Sequence, residues 1–244
     1  AITGAFFVTQ PVCSIGHSEH CAWGITAGHA DNTDLFIEKL GEDGKSVLDG
    51  ERFVPCEVRR ETIRVKGKPD ETVDVLITPR GPIVGAALGE TRDALSIRGT
   101  WMAAKGLRAY QFHHSRDVDE IRAYFDGYAG PSEARVFADT KGNIAWLLDG
   151  DLPVRRGGHG LVPAPGWSKA HGWEDEPLPF AKHPTEKNPE RGFVATANQK
   201  PIAHVDPSVF LGVDWLDSYR FDRIAEQLGD GARPRWTVED CIAL

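Results

Sequence analysis

Three groups of side chains in this 244-residue chain have types and spacings that chemistry uses. Asp31, Thr33 and Asp34 place two carboxylates and a backbone carbonyl within four residues, inside the stretch WGITAGHADNTD (residues 23–34). Hard oxygen donors so close together suit calcium, which takes carboxylate and carbonyl oxygens. The competing reading is a solvated Asp-rich turn capping a strand. His17, His20 and Cys21 are of the types zinc accepts, with His29 as a further imidazole, yet no second half of matching spacing follows. Gly16-His17-Ser18-Glu19-His20 approaches the serine elbow G-x-S-x-G, but histidine stands where the sharp turn needs glycine. No serine is followed three residues later by lysine, which removes the Ser-Lys acylase pattern. Asp149 and Asp151 have the makings of a glycosidase pair without a separation that sequence could supply, and read by default as solvated loop acids.

The rest of the composition narrows these options. With 41% hydrophobic and 26% charged residues, the chain is of an ordinary globular kind, long enough to bury a core as one domain or two joined lobes. The net charge of −8 comes with no basic run that could track phosphates, which sets nucleic acid aside as a partner. No apolar stretch approaches the ~20 residues of a membrane span, and no basic-then-apolar leader opens the sequence, so no membrane partner is expected. Cys13, Cys21, Cys56 and Cys241 are irregularly spaced without a C-x-x-C pair and fix no redox compartment. Both ends read as cut. Ala1 leads straight into the β-prone run at 5–8, and Thr237-Val-Glu-Asp240 has the form of a capping box with barely one turn after it. A piece of a larger protein is expected.

The elements that must position these groups are of mixed type. Residues 1–15 predict strand, turn and strand around the breaker Pro11, and residues 21–26 another strand leading into the Asp-rich stretch. Further strands are expected at 53–58, 61–65 and 71–77, with Arg80-Gly81-Pro82 as a break before 83–84. Val118, Ile121 and Phe125 make one apolar face of a helix over 115–128, opened by Ser115 or Asp117. Strands 134–138 and 143–148 flank Asp139-Thr-Lys-Gly142, an antiparallel hairpin with glycine where a positive φ is needed. Residues 150–190, with VPAPGW and HGWEDEPLPF, predict a long ordered loop region suited to a binding wall. A strand at 193–197 and a helix at 216–228 closed by Gly229 complete the reading.

Six blocks then stand in order: GHSEHCAWGITAGHADNTDLFIEKL, TPRGPIVG, GNIAWLLDGDLPVRR, PAPGW with LPF, NPERGFVATANQKP, and DWLDSYRFDRI. Together they resemble the penicillin acylase family of N-terminal-nucleophile hydrolases over nearly the whole chain. The resemblance implies an α+β fold, a four-layer αββα sandwich on antiparallel sheets, of which residues 1–244 would be an internal fragment of one catalytic domain. It implies amide hydrolysis through an acyl-enzyme, of a β-lactam side chain or an acyl homoserine lactone. In the family the nucleophile is a serine at the start of the larger chain whose own α-amine is the base. That residue is not in this sequence, so the fragment alone is expected to be inactive and to need a companion chain and the remaining segments of its precursor.

The same resemblance distributes roles. The ITAG match puts an oxyanion-binding backbone N–H at Ala27, and the TANQKP match puts the second donor on the Asn198 side chain. Arg220, 22 residues after Asn198, takes the place of an arginine near the nucleophile. Without the resemblance, Ala27 is a small packing residue, Asn198 a turn-former and Arg220 a surface ion-pair residue. Ile25, Thr26 and His29 fall at the acyl pocket, and a histidine at 29 makes that pocket more polar or smaller. Trp23 reads as core. A structural calcium would take Asp31, Thr33 and Asp34, a carbonyl near Gly160, and Asp206. A periplasmic or secreted location is the family's habit. Two other readings stay open: a non-catalytic calcium-stabilised binding module on the same scaffold, and a zinc hydrolase using His17, His20 and His29.

Overall fold

The computed structural model describes residues 1–8, 12–85, 93–104, 109–201, 209–229 and 236–243. In chain order the strands are β1 (Thr3–Phe6), β2 (Cys13–His17), β3 (Cys21–Ala27), β4 (Thr33–Glu38), β5 (Ser46–Asp49), β6 (Arg52–Pro55), β7 (Glu57–Ile63) and β8 (Glu71–Thr78). They continue as β9 (Gly81–Pro82), β10 (Ala94–Gly99), β11 (Glu133–Asp139), β12 (Ile144–Leu148), β13 (Arg155–Arg156), β14 (Ala164–Pro165), β15 (Gly172–Trp173) and β16 (Thr185–Lys187). The helices are α1 (Val118–Ala123), α2 (Tyr219–Gly229) and α3 (Val238–Ala243). Two compact units result.

The first unit, Ala1–Asp31 with Ala103–Leu152 and Leu178–Leu244, is built on an antiparallel six-stranded sheet of order β1-β2-β3-β11-β12-β16. Side chains alternate across a strand, so β12, IAWLL, sends Ala145 and Leu147 to one face and Trp146 and Leu148 to the other. On the first face Cys13, Cys21, Trp23 and Phe137 pack with Phe112, Val118, Ile121 and Phe125. On the second, Ala134, Trp146 and Leu148 pack with Leu152, Leu178 and Leu211. Each large side chain so buried contributes about 1.5–3 kcal/mol, and β3, in the middle of the sheet, is held from both sides.

Trp23 is core, as its type suggested. It is 4% exposed, stacks on His113 with ring centroids 5.1 Å apart, meets the edge of Phe112, and donates Nε1–H to the Cys13 carbonyl at 2.8 Å. Asp117 caps α1, its carboxylate accepting the Asp119 and Glu120 N–H groups at 3.1 and 3.0 Å. The helix expected over 115–128 forms only in its middle, because turns lead from Tyr124 to Gly127, whose φ of 72° ends it. At α3 the capping box is present: Thr237 N–H donates to Asp240 Oδ2 at 3.0 Å and Asp240 N–H to Thr237 Oγ1 at 3.2 Å.

The second unit, Asn32–Met102 and Pro153–Pro177, pairs β4 antiparallel with β10 and parallel with β14. Hairpins β5–β6 and β7–β8, the short β9, and the β13–β15 pair complete it. The break expected at Arg80-Gly-Pro82 is instead β9, which turns back onto Ile77 and Thr78. Residues 150–190 are irregular apart from β13 to β16 and a 3-10 turn at Phe180–Lys182. The strand expected at 193–197 has no ladder, and the helix expected from 216 begins at Tyr219.

Burial leaves a pH signature in the first unit. His113 and His183 are 6% and 5% exposed, and burial lowers the basicity of both below the ordinary value of 6.5. The native state holds them neutral while the unfolded chain takes up protons near that value. Their contribution is therefore complete above it and is lost as the pH falls through and below it. Between about pH 6.5 and 5 the two histidines lower the melting temperature, while the buried Asp149 carboxyl, raised to about 7, acts in the opposite direction. The histidine part is isolated by comparison: the melting temperature of His113→Gln should fall less, or rise more, than that of the native protein over this interval, and identical pH profiles would contradict the burial argument.

Candidate active site

The site starts from the register of β3. Gly28 N–H donates to the Ser132 carbonyl at 2.9 Å, and the preceding pair in the ladder is Ala27 with Glu133. Bonded and non-bonded pairs alternate in an antiparallel ladder, so Ala27 turns its own N–H and C=O away from β11. Glu133 agrees with this phase, because its N–H goes to Asp149 Oδ1 at 2.8 Å and its carbonyl accepts Asp149 N–H at 2.9 Å. On the far side of β3, β2 pairs only with Ala22 and Trp23. The edge that carries the Ala27 N–H is thus left without a strand partner among the described residues. Gly28 must be small, because a Cβ there would lie 2.5 Å from Ser132 Oγ and 2.7 Å from Leu148 Cδ1.

Asn198 reaches that edge from 171 residues away: its Nδ2 donates to the Ala27 carbonyl at 3.0 Å. Its Oδ1 accepts Arg220 Nη2–H at 2.6 Å, and the same guanidinium nitrogen donates to the Ala197 carbonyl at 2.6 Å. A guanidinium only donates, so Arg220 on α2 fixes which end of the amide faces Ala27. The backbone at Asn198 is left-handed, with φ of 66°. It is braced by Leu216 N–H on its carbonyl at 3.1 Å and by Gln199, whose Oε1 accepts Ala197 N–H at 2.7 Å. Beside it Thr26 and Thr196 share a hydroxyl hydrogen bond of 2.7 Å. Ala27, Asn198 and Arg220 therefore form one contiguous cluster of hydrogen-bonding groups.

Comparison with known proteins places the chain in a family. Residues 1–244, the whole chain, match the Penicillin amidase family. The chain belongs to the penicillin amidase family. Among its relatives is an acyl-homoserine lactone acylase QuiP of Pseudomonas fluorescens strain Pf0-1, 31% identical over 242 residues, covering 91% of this chain and 28% of that protein. Another is the penicillin acylase 2 proenzyme of Pseudomonas sp. strain SE83, 29% identical, covering 93% of this chain and 29% of the proenzyme. The solved thermostable penicillin G acylase from Alcaligenes faecalis superimposes with a TM-score of 0.81 at 23% identity, over 98% of this chain and 43% of that one. The fold is therefore that of a penicillin G acylase, α+β with mostly antiparallel sheets. The chain spans less than a third of the length of these curated relatives.

The penicillin amidase resemblance implied calcium, and the residues test that fit. Asp34 gives both carboxylate oxygens to Arg155, at 2.7 Å from Nη2 and 3.1 Å from Nε, and accepts Trp173 Nε1–H at 2.7 Å. Gly160 faces the same carboxylate, and a Cβ on it would collide with Asp34. Thr33 Oγ1 accepts Trp101 Nε1–H at 3.1 Å. A guanidinium thus already occupies the place of a cation at Asp34, and the described residues of the second unit do not fit calcium there. Asp31 lies in the first unit, its N–H bonded to the Leu211 carbonyl at 2.7 Å, and Asp206 lies outside the described residues. Among the described residues no three His, Cys, Asp or Glu side chains gather as metal ligands, His17, His20 and His29 included.

Of the remaining candidates, Ile25 and Thr26 are half-buried on β3, and His29 is exposed with a left-handed φ of 52°. The default reading of Asp149 as a solvated loop acid is overturned: it is fully buried and paired with Arg135, whose guanidinium lies over the Phe125 ring. Burial raises its carboxyl to about 7 against the pull of Arg135. Gln199 and Thr196 were not legible as site residues. The only signal for Gln199 was its place inside the TANQKP block.

Proposed function

We propose that the complete protein hydrolyses the N-acyl bond of small amides, of the β-lactam side-chain or acyl homoserine lactone kind, through an acyl-enzyme. The observation that carries this reading is the meeting of the open Ala27 edge with an Asn198 amide that Arg220 orients. Attack on an amide carbonyl moves negative charge onto its oxygen, and preorganised donors that need not rearrange lower that barrier. Ala27 N–H is one such donor. Asn198 Nδ2 carries two hydrogens, one engaged by the Ala27 carbonyl and the other available to the oxyanion. Collapse of the tetrahedral intermediate breaks the C–N bond, the amine leaves with a proton, and water repeats the attack on the ester. Ile25, Thr26 and His29 border the acyl group, and the polar His29 disfavours a purely aromatic acyl chain.

The nucleophile and its base come from parts of the protein outside this chain, which covers 28% of its acylase relative. In this reading a Ser, Thr or Cys freed by self-cleavage attacks, and its own α-amine takes the proton. The remaining segments of the precursor are then obligatory partners, and the 244-residue piece by itself does not turn over substrate.

The test is to read the whole gene and assay the complete protein on N-acyl p-nitroanilides of graded acyl length and on N-acyl homoserine lactones. Hydrolysis of one acyl class, with a Ser, Thr or Cys at a processing junction upstream of Ala1, is the expected result. No such residue and no hydrolysis would leave the Ala27–Asn198 cluster without a reaction and overturn the proposal.

A further inference from the structure

We propose that Gln199 is a positioning residue for the Asn198 oxyanion donor, an inference that rests on the amidase reading above. Asn198 holds a left-handed backbone, φ 66°, that costs an L-residue free energy and persists only where its surroundings over-determine it. Three bonds do so here: Arg220 to the Ala197 carbonyl, Leu216 N–H to the Asn198 carbonyl, and Ala197 N–H to Gln199 Oε1. The last closes a ring across Asn198 itself. Both of its ends are buried, Ala197 at 3% and Gln199 at 8% exposure, so the Ala197 N–H has no solvent to turn to if the acceptor is removed.

That bond also joins the turn to its frame. Gln199 forms a parallel bridge with Leu216, a few residues before α2, which carries Arg220. Gln199 thus ties the residue that donates to the oxyanion to the segment leading into the helix whose arginine orients it. Removing the acceptor lets Ala197 and Asn198 rotate to rescue the orphaned N–H, which moves Nδ2 off the Ala27 edge. Because that donor acts mainly on charge formed in the transition state, the loss falls on kcat and spares KM.

The complete protein is assayed with an N-acyl p-nitroanilide as Gln199→Met, close in shape but without the acceptor, and as Gln199→Glu, which keeps it. Asn198→Ala is the control, and rates are normalised to folded protein. The expected result is a kcat lower by about tenfold or more in Gln199→Met with KM changed less than about twofold, and most of the loss recovered in Gln199→Glu. If Asn198→Ala costs about 100-fold while Gln199→Met keeps its kcat, the positioning role is overturned and the amidase reading stands. If Gln199→Glu is as slow as Gln199→Met, the acceptor is not what matters and the inference fails. If Asn198→Ala itself retains full kcat, the oxyanion reading fails with it. Gln199→Ala takes the same assay if the methionine variant does not accumulate as folded protein.

Discussion

Asn198→Ala in the complete protein is expected to lower kcat for N-acyl amide hydrolysis by about 10²–10³-fold, the usual cost of one oxyanion donor. The melting temperature should fall modestly, because alanine tolerates the left-handed φ of 66° less well than asparagine, while among the described residues the side chain bonds to Ala27 and Arg220. Asn198→Asp makes the argument sharper. It keeps the size and the acceptor for Arg220 while removing the Nδ2 donor, and it adds a negative charge beside the developing oxyanion. Its kcat should fall at least as far as that of the alanine variant. An aspartate variant as fast as the native protein would show that Nδ2 does not touch the reacting oxygen. Arg220→Lys is the companion measurement: a single ammonium cannot hold the Ala197 carbonyl and Asn198 Oδ1 in the guanidinium geometry, and a loss between the two is expected.

This cluster was legible in the sequence only through its resemblance to a family. Nothing in periodicity or spacing joins Ala27 to Asn198, because their contact depends on the phase of the β3–β11 ladder and on a left-handed residue. The same left-handed residue explains the failed strand at 193–197. Val194 packs on the second sheet face as a strand residue would, but the backbone bonds of Ala197 and Asn198 go to side chains and to the Leu216 N–H instead of a ladder. The hairpin β11–β12 was readable because Gly142 sits at φ 89° where the turn requires it. Strand β4 was hidden for the opposite reason. Its buried positions are Asp34, Phe36 and Glu38, so two of the three inward side chains are acids and the apolar alternation points outward. Only the partners Arg155 and Arg80, far away in sequence, make that pattern sensible.

The TPRG block, which stands out in the sequence as a motif, braces the second unit, and its removal carries the largest expected stability effect. Glu38 is fully buried, and Arg80 meets it with two bonds, Nε to Oε1 at 2.7 Å and Nη2 to Oε2 at 2.6 Å. Ser96 Oγ donates to the same carboxylate at 2.6 Å, and the Thr78 hydroxyl lies 3.2 Å from it while accepting Arg80 N–H at 3.0 Å. Gly81 takes φ 144°, and a Cβ on it would strike the Ile97 carbonyl, so glycine is required there. Each of these residues serves the second unit and none belongs to the Ala27–Asn198 cluster. Arg80→Met leaves a carboxylate buried with hydroxyl donors alone, and is expected to destabilise the complete protein by about 3–5 kcal/mol in denaturant unfolding. Glu38→Gln/Arg80→Met removes both charges and should recover part of that loss, since the penalty lies in the uncompensated charge more than in the missing pair. A single Arg80→Met variant within about 1 kcal/mol of the native protein would place the pair among the weak surface bridges and refute its bracing role. The kinetic constants per folded molecule should stay at their native values in both variants, which separates this motif's contribution to the fold from the chemistry proposed for Asn198.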